Sequence, residues 1–217
     1  VRTVIGGEFD FDVNRLFGLR QNDFLKEGYL YASGRAALYN ILLSIQNCLC
    51  KNKNLYLPNY LCHTIAQTAQ KTAYTVKYYK LNSKLEIDKK SFENLYEKGS
   101  VVLLINFFGL QTLNAQIDYL KELDGEVCII EDNVQSFYSM FEDSLADYSF
   151  TSFRKSFSVP DGGWVKTAKE MPKTEGVNTF AQYKAVGGIL KSFRNYECFD
   201  DSIYLKLLEK GEDMIDE

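Results

Sequence analysis

An aspartate and a lysine stand where their side chains could act on one bound molecule. Asp132 follows a strand predicted over residues 126–130, and Lys155 is followed by the turn sequence Pro-Asp-Gly-Gly at 160–163. Amines and carboxylates in such positions serve as nucleophiles, bases and charge partners. The simpler alternatives are that Asp132 caps a helix and that Arg154 and Lys155 form a solvated basic pair in a loop.

A small-residue turn at Ser33 and Gly34 precedes a helical run. Backbone N–H groups at the start of a helix have no partner within it, and the helix dipole favours negative charge there, so this turn is able to hold a phosphate. The alternative is an ordinary helix start with Ser33 as its cap. Further on, Tyr60 and His63 follow a strand that ends at Pro58, and the simplest interpretation is that both are partly buried packing residues.

Strands and helices alternate regularly from residue 29 onward. The hydrophobic pattern predicts helices at 35–48, 61–73, 88–98 and 113–123, and strands at 54–57, 74–81, 101–108, 126–130, 148–153 and 164–167. This alternation predicts a three-layer α/β/α fold with a mostly parallel mixed sheet. Ligands in such folds bind beyond the carboxyl ends of the strands, which is where Asp132 stands.

Composition excludes several classes of function. The 217 residues include 46% hydrophobic and 25% charged residues and carry a net charge of −4, so there is no broad basic surface for nucleic acid. The single histidine, His63, excludes a multi-histidine metal site. Five cysteines without a C-x-x-C pair indicate reduced thiols and a cytoplasmic protein. No secretory signal, membrane-spanning run or membrane partner is predicted.

Four segments, taken in order, resemble the DegT/StrS-type family of pyridoxal-phosphate (PLP)-dependent sugar aminotransferases. They are Ala-Ser-Gly-Arg-Ala-Ala-Leu at 32–38, Leu-Pro-Asn-Tyr-Leu-Cys-His at 57–63, Val-Cys-Ile-Ile-Glu-Asp-Asn-Val-Gln-Ser at 127–136, and Ser-Phe-Thr-Ser-Phe-Arg-Lys-Ser-Phe-Ser-Val-Pro-Asp-Gly-Gly at 149–163. Their order and spacing together are more specific than any one of them. The resemblance runs from about residue 29 to residue 167 and implies the large domain of a fold-type I PLP enzyme.

The first two segments imply contacts with the cofactor's phosphate and with the face of its ring. The backbone of Gly34, Arg35 and Ala36 would hold the phosphate, although the family usually carries a small or hydroxyl residue where Arg35 stands. His63 is the candidate for stacking on the pyridine ring. Cys62 is the alternative, because the family's usual aromatic residue aligns nearer to it.

The last two segments imply the reacting groups. Asp132 would pair with the ring nitrogen and keep it protonated, which makes the ring an electron sink, and Gln135 would bind the ring hydroxyl. Lys155 would form the Schiff base with PLP and then act as the general base. Ser152 is the candidate clamp for the phosphate, with Ser149 as the alternative.

The resemblance implies an aminotransferase that works as a homodimer. It would move an amino group from an amino acid, by resemblance glutamate, to a keto group of a nucleotide-linked sugar. Two alternatives stay open: a PLP-dependent dehydratase or lyase on the same scaffold, and a non-catalytic relative.

The domain organisation departs from the family in one respect. Residues 1–169 are predicted to form the PLP-binding large domain, with 1–28 as a lead-in. Residues 170–217 are predicted to be a helical connector at the start of a small domain whose own strands are not found. The chain is therefore expected to be a shortened or divergent form, and residues 170–217 show no functional signal.

Overall fold

One seven-stranded sheet organises the molecule. The computed structural model describes residues 9, 11, 27–47, 52–174, 178–194 and 200–216, so Cys48, Cys50, Cys198 and most of the lead-in lie outside the described residues. The strands are β1 (Tyr29–Tyr31), β2 (Asn54–Pro58), β3 (Thr75–Tyr79), β4 (Val101–Ile105), β5 (Cys128–Asp132), β6 (Tyr148–Ser152) and β7 (Gly163–Lys166).

The strand order is β1-β7-β6-β5-β4-β2-β3. The five strands from β3 to β6 in this order run parallel, whereas β7 runs antiparallel to both of its neighbours. The predicted α/β fold with a mostly parallel mixed sheet is therefore confirmed. The short strand β1 was not predicted. It pairs with β7 and ends at Tyr31, so the pairing positions the Ser33–Gly34 turn that follows.

Six helices accompany the strands in the described part of the chain. They are α1 (Gly34–Asn47), α2 (His63–Gln70), α3 (Lys89–Glu93), α4 (Asn114–Leu123), α5 (Thr179–Ser192) and α6 (Asp201–Asp213). Asp88 caps α3, because its carboxylate accepts a hydrogen bond from the Ser91 N–H at 3.0 Å. The helix is shorter than predicted: the backbone after it turns to bind the Tyr56 hydroxyl, which donates to the Leu95 carbonyl and accepts from the Glu97 N–H.

Alternating side chains of β4 show why the sheet lies between two helical layers. Val101, Leu103 and Ile105 belong to the core formed with α1 and α2, whereas Val102 and Leu104 belong to the core formed with α3 and α4. Burial of such a side chain contributes about 1.5–3 kcal/mol, so a continuous apolar run is stable only between two layers. The strand ends before residue 108 because Phe108 and Gly109 have φ of 60° and 65°.

The last two helices pack against each other through small residues. A Cβ on Gly187 of α5 would lie 2.9 Å from Leu208 Cδ2 of α6, so this close approach needs glycine. The helical character predicted for residues 170–217 is present in both described helices. Helix α6 also reaches the carboxyl edge of the parallel strands through Glu212, a contact that the sequence patterns did not predict.

Candidate functional site

A cavity of about 430 Å³ opens at the carboxyl edge of the parallel strands. The residues proposed from sequence that line it are Gly34, Arg35, Asp132, Gln135, Ser152 and Lys155. Asp132 and Lys155 therefore lie on the same side of the sheet and share one hollow with the Gly34 turn. Among these residues Asp132 and Ser152 are buried, whereas Lys155 and Gln135 are exposed at the cavity mouth.

Parallel pairing of β5 and β6 brings the carboxylate and the amine together. Asp132 pairs in register with Phe150, and the chain continues from Ser152 into a single 3-10 turn, Phe153–Lys155. Because parallel strands end at the same edge, both functional groups emerge there. Lys155 has no hydrogen-bond or ion-pair partner within the described part of the chain.

The two-residue period of β6 decides which serine faces the cavity. Phe150 and Ser152 line it. On the opposite face, the Ser149 hydroxyl donates to Glu131 at 3.1 Å, and the Ser144 hydroxyl donates to the same carboxylate. Ser149 is thus engaged away from the cavity, which leaves Ser152 as the hydroxyl available to a ligand.

Asp132 forms the buried floor of the cavity and is 3% exposed. Its Oδ1 accepts a hydrogen bond from the Val134 N–H at 2.9 Å, and Oδ2 has no partner among the described residues. Burial raises the pKa of Asp132 to about 7, against the lowering effect of the Val134 hydrogen bond and with a further increase from the nearby Glu131. A cationic N–H placed at Oδ2 would therefore stabilise the carboxylate form.

The turn before α1 is packed directly against Ser152. A Cβ on Gly34 would lie 2.9 Å from the Cβ of Ser152, so only glycine allows this approach. Ser33 caps the helix, because its hydroxyl oxygen accepts from the Ala36 N–H at 3.1 Å. The predicted contact of Ala36 with an anion is thus not seen: its N–H is engaged by the cap, and Ala36 does not line the cavity. Gly34 and Arg35 remain as the backbone candidates.

A glycine pair joins this turn to the Lys155 turn. The Gly162 N–H donates to the Ala32 carbonyl at 2.8 Å, and the Gly162 carbonyl accepts from the Phe153 N–H at 2.9 Å. Gly162 has φ of 99°, and a Cβ on Gly163 would lie 2.2 Å from the Ser33 carbonyl oxygen. Both positions therefore require glycine, and the pair fixes the first and fourth sequence segments beside each other.

His63 does not lie on the cavity wall. Helix α2 begins at His63, which is exposed, and the helical phase directs Thr64, Ile65 and Thr68 towards the cavity instead. Cys62, the alternative, does line the cavity, and its Sγ is 3.2 Å from the Thr64 hydroxyl. The position of His63 thus does not support a role over a bound ring, whereas the position of Cys62 is compatible with one.

Two charged residues of the cavity, Arg154 and Glu212, were not assigned a role in it from sequence. Arg154 donates to Glu212 of α6 at 2.9 and 3.2 Å, so it is not a solvated loop residue. Arg35 donates to the same carboxylate at 2.8 Å. Burial opposes ionisation of Glu212, but hydrogen bonds from Lys184 and Arg154 lower its pKa to about 2. No local pattern distinguishes Glu212 from the other acidic residues of this tail.

The described residues contain neither a metal-binding cluster nor a membrane-spanning helix. There, no group of three or more His, Cys, Asp or Glu side chains is arranged to hold a metal ion. None of the described helices combines the length and apolarity needed to cross a bilayer.

No known protein-family model matches the sequence, and no curated protein matches it. Solved structures do resemble the fold. The Escherichia coli GDP-4-keto-6-deoxy-D-mannose-3-dehydratase with bound hydrated PLP aligns with a TM-score of 0.58 at 19% identity, over 68% of this chain and 42% of that one. The Helicobacter pylori aminotransferase PseC, involved in the biosynthesis of pseudoaminic acid, aligns with a TM-score of 0.56 at 15% identity, over 85% and 53%.

A third structure, 3-amino-5-hydroxybenzoic acid synthase, aligns with a TM-score of 0.55 at 12% identity, over 86% of this chain and 52% of that one. At these identities the likeness shows the fold. The chain spans about two-fifths to one-half of the length of these three structures.

Proposed function

We propose that this chain binds PLP and carries the reacting residues of a PLP-dependent enzyme that acts on sugars, with aminotransferase activity as the specific reaction. One observation carries the proposal: a single cavity holds an amine, a buried carboxylate with an open oxygen, and a glycine turn next to a serine. PLP presents an aldehyde, a ring nitrogen and a phosphate, and each of these groups has a chemically matched partner in the cavity.

The phosphate end is served by the Gly34 turn and Ser152. The first N–H groups of α1 point out of the helix, and the helix dipole adds a partial positive charge there. Ser152 supplies a hydroxyl donor that is packed against the same turn. A phosphate held in this way fixes one end of the cofactor and so determines where its ring and aldehyde lie.

The ring end is served by Asp132 and Gln135. When bound, PLP supplies a ring that accepts electrons from the bonds at the substrate Cα. Asp132 would face the ring nitrogen with Oδ2, keep that nitrogen protonated and balance its charge. Gln135 lies three residues later on the same wall and would donate a hydrogen bond to the ring hydroxyl.

Lys155 has the two roles that require an amine. Its Nζ would attach covalently to the cofactor aldehyde, and an incoming amino acid would displace it. When it is not attached to the cofactor, Nζ would be placed to act as the general base for the proton of the substrate Cα. Exposure of Lys155 at the cavity mouth allows both the attachment and the exchange.

The amino donor is proposed to be glutamate and the acceptor a keto group of a nucleotide-linked sugar. The resemblance of the four sequence segments supports this reaction, as does the fold shared with an aminotransferase. The second candidate is a dehydratase, because the same fold is also shared with a sugar-nucleotide 3-dehydratase.

A homodimer is proposed on the basis of exposed apolar side chains near the cavity edge. Tyr60 and Phe108 are each 60% exposed, and Leu110 and Tyr138 are each 79% exposed. They follow β2, β4 and β5, so all of them lie toward the carboxyl edge. Patches of this kind favour association with another protein surface.

The free thiols of Cys62 and Cys128 fit the proposed cytoplasmic location.

The proposal is tested by mixing the purified protein with PLP and recording absorbance before and after borohydride. We expect a yellow, borohydride-sensitive adduct in the parent protein and in Lys169→Ala, an exposed lysine outside the cavity, and no adduct in Lys155→Ala. An unchanged adduct in Lys155→Ala would contradict the assignment. Incubation with 15N-glutamate and a nucleotide-linked keto sugar then separates the reactions: an aminotransferase leaves 15N in the sugar, and a dehydratase does not.

A further inference from the structure

Three cationic side chains from three separate elements meet at the carboxylate of Glu212. Arg35 donates to Oε1 at 2.8 Å, and Arg154 donates to Oε2 at 2.9 Å and to Oε1 at 3.2 Å. Lys184 donates to Oε2 at 2.5 Å. Each carboxylate oxygen thus accepts from two cations, and the pair of hydrogen bonds from Arg154 is the geometry with which guanidinium groups bind carboxylate or phosphate.

The cluster adjoins the cavity at its proposed phosphate end. Arg35 follows Gly34 directly, and Arg154 lies two residues after Ser152. Both arginines and Glu212 line the cavity. An anion bound by the Gly34 turn and Ser152 would therefore lie beside the same guanidinium groups that Glu212 engages.

Lys184 is buried in a way that directs its charge to this point. It is 1% exposed, although an ammonium group is costly to remove from water unless it meets an anion. Its stem passes closely over Gly211, where a Cβ would lie 2.7 Å from Lys184 Cγ. The absence of a side chain at position 211 thus allows Lys184 to reach the carboxylate of the next residue on α6.

We propose that Arg35, Arg154 and Lys184 form a subsite for a phosphate group, and that the Glu212 carboxylate occupies this subsite as an internal competitor. A phosphate offers three terminal oxygens and up to two negative charges, so it satisfies the same donors more fully than a carboxylate does. Binding would require Glu212 to leave the arginines. The inference rests on the proposed function for the identity of the cavity, whereas the subsite is inferred from the contacts of these side chains with Glu212.

The competing explanation is that Glu212 only attaches α6 to the sheet domain. Under that explanation, neutralising Glu212 loosens α6 and brings no gain in anion affinity. Under the proposal, neutralising Glu212 removes a competitor for the cations. The two explanations therefore predict opposite changes in the affinity for inorganic phosphate.

Inorganic phosphate is the probe, titrated by calorimetry into the full chain at neutral pH. Because it forms no covalent bond with Lys155, the result does not depend on PLP chemistry. We expect Glu212→Gln to bind phosphate about tenfold more tightly than the parent protein, and Arg154→Gln to lose most of the binding. The matched control is Glu209→Gln, which removes the same charge from an exposed position on α6 and should leave the affinity unchanged.

A second variant keeps the test valid where Glu212→Gln alone fails to fold. Lys184→Met combined with Glu212→Gln removes the buried ammonium together with its partner and retains both arginines. It should bind phosphate more tightly than Lys184→Met alone, because that comparison removes the Glu212 carboxylate and leaves the cations unchanged. Equal or weaker phosphate binding in the folded Glu212 variants would overturn the proposal.

The source of the phosphate group is identified by repeating the titration on protein loaded with PLP and fixed by borohydride. Loss of phosphate binding assigns the subsite to the cofactor's phosphate. Retained binding assigns it to a phosphate of the substrate. Either result supports a subsite that Glu212 occupies, whereas phosphate affinity that is insensitive to residue 212 contradicts it.

Discussion

A buried aspartate lies near each end of strand β5, and the two differ in how many hydrogen bonds they accept. Asp124, just before the strand, is 6% exposed and accepts hydrogen bonds from the Tyr96 hydroxyl at 2.8 Å, the Gly99 N–H at 2.7 Å and the Glu126 N–H at 3.0 Å. Asp132, at its end, is 3% exposed and accepts one hydrogen bond from the described residues.

This difference appears directly in the proton affinities. Burial opposes ionisation of both groups, but the three donors at Asp124 outweigh it and lower its pKa. At Asp132 burial dominates and raises the pKa to about 7. The amino end of the strand is thus internally satisfied, whereas the carboxyl end leaves polar groups for a ligand. Asp132 thus lacks hydrogen-bond donors, and destabilises the folded state, at the edge where parallel sheets generally bind ligands.

The largest expected effect is on activity. Asp132→Asn should lower PLP-dependent turnover by roughly 10²- to 10⁴-fold, the range for a group that handles a catalytic proton. Asp124→Asn should retain most of the turnover of each folded molecule, because Asp124 does not line the cavity. Single-turnover conversion of glutamate measures both variants. Equal losses of turnover in the two variants would show that Asp132 has no greater part in the reaction than Asp124.

The next effect is on stability, and here Asp124 is the sensitive position. Asp124→Ala leaves the Gly99 and Glu126 N–H groups and the Tyr96 hydroxyl without their acceptor, so the free energy of unfolding should fall by about 2–4 kcal/mol. Urea denaturation followed by circular dichroism measures the loss. A change below about 0.5 kcal/mol would show that these hydrogen bonds do not hold the amino end together.

Asp132→Asn should have the opposite sign and a smaller size. The folded-state pKa of about 7 lies above the ordinary value, so Asp132 destabilises the fold progressively as the pH rises from about 4 to about 7. At pH 8 the amide should raise the free energy of unfolding by about 1–3 kcal/mol, and at pH 4 it should change little. Denaturation at both pH values tests this. A destabilised variant at pH 8 would contradict the assignment of a raised pKa.

The smallest effect concerns the two serines on opposite faces of β6. Ser152→Ala should weaken PLP binding about tenfold, because a hydrogen bond to a charged phosphate is lost. Ser149→Ala should leave PLP affinity unchanged and reduce stability by about 1–2 kcal/mol through loss of its bond to Glu131. Fluorescence titration with PLP compares them. Equal losses of PLP affinity in the two variants would show that Ser152 does not contact the cofactor more directly than Ser149 does.

Sequence patterns predicted the carboxyl end of the sheet better than its periphery. Asp132 and Lys155 follow two strands that the sequence predicts, and the parallel pairing of those strands places both residues at one edge. The choice between Ser149 and Ser152 needed the strand register, because both are separated from Lys155 by short distances along the chain. Once Glu131 and Asp132 are seen on opposite faces, the two-residue period separates the serines.

Other features depend on tertiary contacts that no local pattern contains. Arg154 and Glu212 are 58 residues apart in sequence, and their contact depends on how α6 packs. The phase of α2 turns His63 outward although it directly follows Cys62, which lines the cavity. Helix α3 ends at Glu93 because the following backbone binds Tyr56 rather than continuing the helix.

The central claim is that Lys155 attacks the aldehyde of a molecule whose ring nitrogen faces Asp132. The most direct measurement is peptide mapping by mass spectrometry after incubation with PLP and reduction with borohydride. We expect a single reduced pyridoxyl adduct on Lys155, with strongly reduced labelling in Asp132→Asn. Labelling spread over surface lysines, or on Lys166 or Lys184 in place of Lys155, would contradict it.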